Sequence, residues 1–434
     1  MEILRYIRLP KLLSALVVCL LMGTLCSCEE VIGSAEEFKV KEKTLLVYMI
    51  ANNNLSSNAI SNLSAIRNGY LPDEDKGNIV IYYHVPNQNP LLLNLLKEKS
   101  GKALIDTVYR FPSRNSATKE SLKSAMNVTA TLFPSNEYGL ILWSHGTGWL
   151  PVGYYENPVG ESTSANAPAL ENGTYTQSGR TNETDPYAHM IKMATDGQSG
   201  APVRSFGSDS GKEMELKDIV AGLPYKLSFI IFDACLMGGV EVAYELKDST
   251  DYLLFSPAEI LASGFPYSKI MEHIFATPTD LESVAKEYYN FYNEQPATSR
   301  YATISLVKTS ELEKVAEVAK EVFSANREKI SSLDASSVQR YYRGSKHWFY
   351  DLGDFIEKIA TPQQLQSFVE ALDDAVLYKA TTQNFFDIVM TKYSGLSTYI
   401  PNPADKVLAE YYRTLKWNEA CEMIKEDDPV ESPS

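Results

Sequence analysis

Two short segments carry residue types that together can do covalent chemistry. "LSFIIFDACLMGG", starting at Leu227, puts a carboxylate, Asp233, two positions ahead of a thiol, Cys235, with Gly238 and Gly239 close behind. "YGLILWSHGTGW", starting at Tyr138, puts an imidazole, His145, directly before Gly146. A thiolate can attack a carbonyl carbon if an imidazole takes the thiol proton and later returns it to the leaving amine. Gly146 lets the backbone approach a substrate carbonyl closely. Its N–H and that of Cys235 could form an oxyanion hole. Gly238 and Gly239 weaken the first turn of a helix and suit a place where a substrate backbone passes. Taken alone, a cysteine at a strand end is commonly a small buried apolar residue, and Asp233 can be the N-cap of a helix beginning at Cys235 or beyond. The pairing is what points to chemistry: each residue ends a strand-like run, and each has glycine nearby.

The surrounding pattern can hold two such ends side by side. Continuous apolar runs at 44–51, 78–85, 103–111, 138–144, 227–232, 252–256 and 303–308 read as strands buried on both faces. Helical segments at 58–68, 119–133, 237–247, 267–275, 280–293, 311–329 and 363–378 alternate with them, and 393–401 reads as a late strand. This order predicts an α/β fold with a mostly parallel central sheet, in which ligands sit at the carboxyl ends of the strands. Residues 151–212 break the rhythm, being rich in Gly, Ser, Thr, Asn and Pro; a loop of that length is usually functional or disordered. The division expected is a leader at 1–28, a polar tether at 29–42, a core at 43–300 containing that loop, an extension at 301–420 completing the fold, and an acidic tail at 421–434.

The leader has Arg5, Arg8 and Lys11 before an apolar stretch at 12–25 that is short for a membrane span. It ends in "LCSCEE", similar to a bacterial lipobox, with Cys28 as the residue lipidated. Such an end anchors without spanning. The expected location is therefore outside the cytoplasm, at the outer membrane or cell surface or facing the periplasm. Cys19 and Cys26 leave with the leader, so only Cys235 and Cys421 remain in the body, which is no disulfide scaffold. The net charge of −15 leaves no basic patch for nucleic acid. No CxxC, HExxH, GxSxG or EF-hand pattern occurs, and no metal or organic cofactor is expected. "FGSDSGKE" (206–213) imitates a phosphate loop, but its spacing is one residue short and Glu213 replaces the needed hydroxyl. His84, His189, His273 and His347 are scattered without ligand spacing and read as structural or exposed.

The segments "LILWSHGTGW" and "FDACLMGGVEVAYEL", with "SPAEILASGFPY", "DLGDF" and "SGLSTYIP", resemble the clostripain family of cysteine peptidases, relatives of caspases, gingipains and legumains, over residues 44–412. The resemblance implies a caspase-like three-layer α/β sandwich and, as activity, cleavage of peptides and proteins after Arg or Lys by a monomer. It gives His145 the role of catalytic histidine and Cys235 that of nucleophile. Asp233 becomes the acid at the floor of the S1 pocket, where an Arg side chain can pair with it bidentately. It also implies a zymogen cut between the His and the Cys, for which Arg180, Lys192, Arg204 and Lys212 are the basic candidates. Some relatives depend on calcium. Two rivals remain: a binding lipoprotein without catalysis on the same fold, and a cysteine peptidase with another P1 preference.

Overall fold

The computed structural model describes residues 30–31, 39–101, 103–152, 154, 206–342, 348–402 and 404–425. Its strands in chain order are β1 (Glu30–Val31), β2 (Lys41–Ile50), β3 (Gly77–His84), β4 (Leu91–Lys97), β5 (Ala103–Arg110), β6 (Ser135–Trp143), β7 (Phe206–Asp209), β8 (Lys212–Met214), β9 (Leu227–Asp233), β10 (Thr250–Phe255), β11 (Thr303–Lys308), β12 (Tyr350–Asp351), β13 (Val376–Thr381), β14 (Asn384–Phe385), β15 (Ile388–Val389) and β16 (Ser397–Thr398). Ten of them make one sheet in the order β1-β5-β4-β3-β2-β6-β9-β10-β11-β13. Its centre, β3-β2-β6-β9-β10, is parallel, and both flanks are antiparallel.

Apart from 103–111, whose strand β5 lies in an antiparallel flank and is half-exposed rather than buried on both faces, the continuous apolar runs have the cause expected of them. On β2, Leu46, Tyr48 and Ile50 enter one core while Leu45, Val47 and Met49 enter another. Helices Lys119–Leu132, Val240–Leu246, Leu312–Ala325 and Pro362–Ala375 cover the first face. Helices Ser56–Arg67, Tyr267–Ile274 and Leu281–Asn293 cover the second. The result is the three-layer sandwich, with each face of the sheet removed from water.

Several boundaries differ from the sequence reading. "LLLNLLK" forms β4, which went unassigned; the tight return through Asn87 (φ 63°) makes it antiparallel to β3. The helix expected at 363–378 stops at Ala375, and Val376 (φ −95°, ψ 89°) starts β13. The helix expected at 311–329 breaks at Asn326 into Leu312–Ala325 and Arg327–Ser332. The late strand at 393–401 shrinks to β16, paired with β12. Within the expected tether, Glu30–Val31 pairs with β5, and β2 already begins at Lys41. The expected extension supplies β11 and β13 to the main sheet. The expected tail starts too early: Cys421 ends helix Lys416–Cys421 and is buried, as are Met423 and Ile424. No described helix is long and apolar enough to cross a membrane; Cys28 and the leader lie outside the described residues.

Candidate active site

Strand register brings the two chemical segments together. β6 and β9 are parallel neighbours with Trp143 opposite Asp233, so His145 and Cys235 each lie two residues beyond the last pair. The loops stay in contact past that point. Ser144 donates its N–H to the Asp233 carbonyl (3.3 Å). A Cβ on Gly146 would come 2.7 Å from the Cys235 carbonyl oxygen and 3.1 Å from the Ala234 Cβ, so only glycine permits this approach. Gly146 bridges Phe206 through its neighbours, Gly207 N–H donating to the His145 carbonyl (2.9 Å). The Gly146 N–H makes no hydrogen bond among the described residues.

The half-buried Cys235 thiol sits against the loop that follows β10. Ile260 N–H donates to Sγ (3.3 Å), and Sγ approaches the Ile260 carbonyl (3.5 Å). Leu236 follows in the left-handed region (φ 62°), where a non-glycine residue is strained, and its N–H is held by the Ala258 carbonyl (2.9 Å). The turn therefore lifts Cys235 out of the strand direction while Leu236 stays buried. Gly238 has a different reason from the one expected. A Cβ there would meet Pro257 N at 2.4 Å, so the chain's own Ser256–Pro257 backbone fills the space assigned to a substrate. Gly239 faces Ser397 instead, in an isolated parallel bridge.

His145 gains a partner that sequence reasoning missed. Its Nε2 lies 2.7 Å from Asn54 Oδ1. With that oxygen accepting, Nε2 carries the proton and Nδ1 keeps the lone pair needed of a base. Desolvation lowers the ring's pKa from 6.5 to about 4, so it is neutral at pH 7. The signal was present in "ANNNL": three asparagines follow Ala51, one residue past the end of the buried strand β2 at the sheet's carboxyl edge. Asn52 donates to Asp209 Oδ1 (2.7 Å) and Asn53 to the Ser208 carbonyl (2.6 Å), so the triplet fastens the β7 segment beside His145.

Asp233 does not cap a helix. The next helix, Val240–Leu246, starts after Gly239 with no side-chain cap. Asp233 Oδ2 instead accepts from Tyr267 OH (2.7 Å) and Phe265 N–H (3.2 Å). Gly264 (φ 67°) makes room, since a Cβ there would lie 2.5 Å from that oxygen. Burial raises the carboxyl pKa from 3.8 to about 6, although both hydrogen bonds pull it down.

The C-terminal residues brace both loops. Trp149, fully buried, packs on Tyr399 (5.2 Å) and Tyr412 (5.0 Å). Glu241 Oε1 accepts from Tyr399 N–H, Thr398 Oγ1 and Tyr412 OH at 2.9, 3.0 and 2.8 Å. Ser397 N–H donates to the Gly238 carbonyl (2.9 Å).

The remaining expected sites separate. Lys212 lies outside any loose loop: β7 and β8 form a hairpin closed by Ser210 and Gly211, both at positive φ. Arg180, Lys192 and Arg204 lie outside the described residues, as do His189 and His347. His84 is buried against Ser116 Oγ (2.7 Å) and Asp209 (3.1 Å), a structural role. Cys235 and Cys421 are both free thiols, and burial raises the Cys421 pKa. Among the described residues no three His, Cys, Asp or Glu side chains are grouped to hold a metal ion.

A thiol and a neutral imidazole at the ends of adjacent parallel strands are the pair of groups that a cysteine hydrolase requires. Comparison with known proteins narrows this. The model of the clostripain family matches residues 47–160 and 194–432. Clostripain of Hathewaya histolytica is 21% identical, over 89% of this chain and 80% of its own length. An inactive zymogen C11 protease from Parabacteroides distasonis has a TM-score of 0.70 and 30% identity, covering 88% of this chain and 99% of that one. A secreted C11 cysteine protease from Bacteroides thetaiotaomicron, in complex with an irreversible peptide inhibitor, also has a TM-score of 0.70, with 25% identity over 88% and 100%. The chain belongs to the clostripain family of cysteine peptidases.

Proposed function

We propose that this protein is an exported, lipid-anchored endopeptidase that cleaves after Arg or Lys, with Cys235 as nucleophile and His145 as acid and base. The observation that carries the reading is the register of β6 against β9, which sets thiol and imidazole level and leaves a buried carboxylate at the base of the same strand end. His145 Nδ1 takes the thiol proton. The thiolate then attacks the scissile carbonyl carbon, and the N–H groups of Gly146 and Cys235 receive the oxyanion. His145 next protonates the departing amine, leaving a thioester on Cys235. A water, losing its proton to His145, attacks the thioester and frees the acid and the thiol.

Asp233 supports the basic P1 preference. Both of its hydrogen bonds end on Oδ2, so Oδ1 can meet a guanidinium or ammonium entering between β9 and the 264–267 loop. A buried carboxylate whose pKa is raised by burial is suited to a cation that arrives with the substrate. Activation by a cut in the 151–212 loop, ahead of the β7–β8 hairpin that holds Lys212, fits the relative that is an inactive zymogen. Export and lipidation rest on the leader, Cys28 and the secreted relative.

The test uses protein from Glu29 onward beside its Cys235→Ala variant. Intact mass and turnover of peptides with Arg, Lys, Asp or Asn at P1 are recorded with reductant, with and without calcium. Cutting of the wild type alone, with preference for Arg or Lys, is expected. Turnover by the variant would remove Cys235 from its role, and preference for Asp or Asn would remove Asp233 from its own. Inert protein that stays inert after a trial cut by trypsin in the loop would favour the binding lipoprotein.

A further inference from the structure

The pairing register can be followed across the sheet, and it ties the leader end of the chain to the catalytic end. Glu30 stands opposite Arg110, Arg110 opposite Leu91, Leu91 opposite Tyr83, Tyr83 opposite Met49, Met49 opposite Trp143 and Trp143 opposite Asp233. Glu30 and Asp233 therefore end one row, separated by the strand spacings from β1 to β9, about 29 Å in all. That row is the carboxyl edge of the sheet: Arg110 and Trp143 close their strands, and Cys235 follows two residues past Asp233.

Strand β1 is antiparallel to β5, so the chain arrives at the carboxyl edge and runs from there toward the amino edge, where β2 begins at Lys41. Cys28 lies outside the described residues, but two peptide units keep it within about 7 Å of Glu30. Only Glu29 separates it from the sheet. The segment 29–42 is then no spacer between an anchor and the body. The charges agree with this placement. The carboxyl-edge turns of the flank, "VPNQNP" (85–90) and "FPSRNSAT" (111–118), contain no acid, in a chain of net charge −15. The amino-edge turns carry Asp73, Glu74, Asp75 and Glu98, all exposed, among exposed lysines. Turns without acids can approach anionic lipid headgroups without repulsion.

We propose that the carboxyl edge of the β5-β4-β3 flank lies against the lipid surface that holds Cys28, so that the catalytic cleft opens beside the bilayer and takes extended segments of proteins anchored in that same membrane. The proposal rests on the lipid-anchor and peptidase readings above. An anchor without a spacer limits how far the body can turn away. With this edge down, a segment of about 6 residues, reaching about 20 Å, carries a scissile bond from its own anchor to the site. With this edge up, the site stands at least the length of β2 above the bilayer, about 33 Å for its 10 residues, and such a segment falls short.

Orientation is read first without catalysis. Full-length lipidated Cys235→Ala protein receives a dye through Gln88→Cys, in the carboxyl-edge turn, or Lys99→Cys, in the amino-edge turn; both positions are exposed, and the buried Cys421 takes no dye. The vesicles are phosphatidylcholine with a nitroxide-headgroup lipid, which quenches on contact. The 7 residues of β4 set the two dyes about 23 Å apart, so the one at position 88 should be quenched about threefold more than the one at 99. Wild-type protein, cut in the loop by trypsin if inert, is then given Arg peptides anchored in the same vesicles, with the bond about 6 or about 24 residues from the lipid. The short spacer should be cut about eightfold faster, because local concentration falls with about the −3/2 power of spacer length. A Cys28 peptide that carries no lipid by mass removes the anchor reading and the proposal with it. With lipid present, quenching equal at the two positions or stronger at 99, or a short spacer cut more slowly than the long one, overturns the orientation alone. No cutting with either spacer counts against the peptidase reading, while the quenching ratio still decides the orientation.

Discussion

Replacing Asp233 with Asn should stabilise the fold and damage the function at once. The folded state holds the carboxyl proton up to about pH 6, whereas the unfolded chain releases it near 3.8. Stability therefore falls as pH rises between those values, and the cost persists above them. Two pKa units at 1.36 kcal/mol each give about 3 kcal/mol as the ceiling at pH 8, falling to about half a kcal/mol at pH 4. Asn is nearly isosteric and neutral, and its single oxygen can accept from both Tyr267 OH and Phe265 N–H as Oδ2 does now. The expected gain is about 1–3 kcal/mol at pH 8 and close to none at pH 4. The assay is urea unfolding of Cys235→Ala protein with and without the second change at both pH values, comparing midpoints at constant slope. A double variant less stable than its parent at pH 8, or a gain equal at both pH values, would refute the idea that Asp233 is a charge kept in apolar surroundings at the fold's expense. In the wild-type background the same change should lower kcat/KM for Arg peptides by on the order of a hundredfold or more, because a buried pair is lost.

The other expectations concern the histidine, its partner and its anchor. With His145 neutral above about pH 4, the acid limb of kcat/KM for basic substrates should lie near pH 6, where Asp233 ionises, and should move down in pH when Asp233 is replaced by Asn; an unmoved limb contradicts this. Asn54→Ala should reduce kcat roughly tenfold with little change in KM, since it frees the ring of a base without touching substrate; steady-state kinetics on one short substrate separate the two terms. Trp149→Ala removes a fully buried indole and should cost about 3–5 kcal/mol in thermal unfolding. Trp149→Phe should cost much less, because the indole N–H has no partner among the described residues.

That His145 and Cys235 meet at one edge of the sheet was legible because each follows a continuous apolar run, and parallel strands bring their carboxyl ends together. Their partners were not. Asn54 lies 91 positions from His145, and nothing local marks which of three adjacent asparagines turns toward it. The use of Gly238 was misread because a lost side chain signals a close approach without saying by whom; here Ser256–Pro257 arrives from the neighbouring strand. β4 was missed although "LLLNLL" is a continuous apolar run like those read as strands; a run this short does not distinguish a strand from a buried helical segment, and its antiparallel return onto β3 decides it. At Val376 the helix passes into β13 with no glycine or proline to mark the change.

The contacts of residues 397–412 with Gly238, Glu241 and Trp149 have a consequence for timing. A chain is made from its N-terminus and folds as it emerges. His145 and Cys235 are both made by just past the middle of the chain, but the residues that steady their loops are among the last. A nascent chain still being synthesised carries both chemical groups without their support, so the order of synthesis itself delays the moment at which this site is complete.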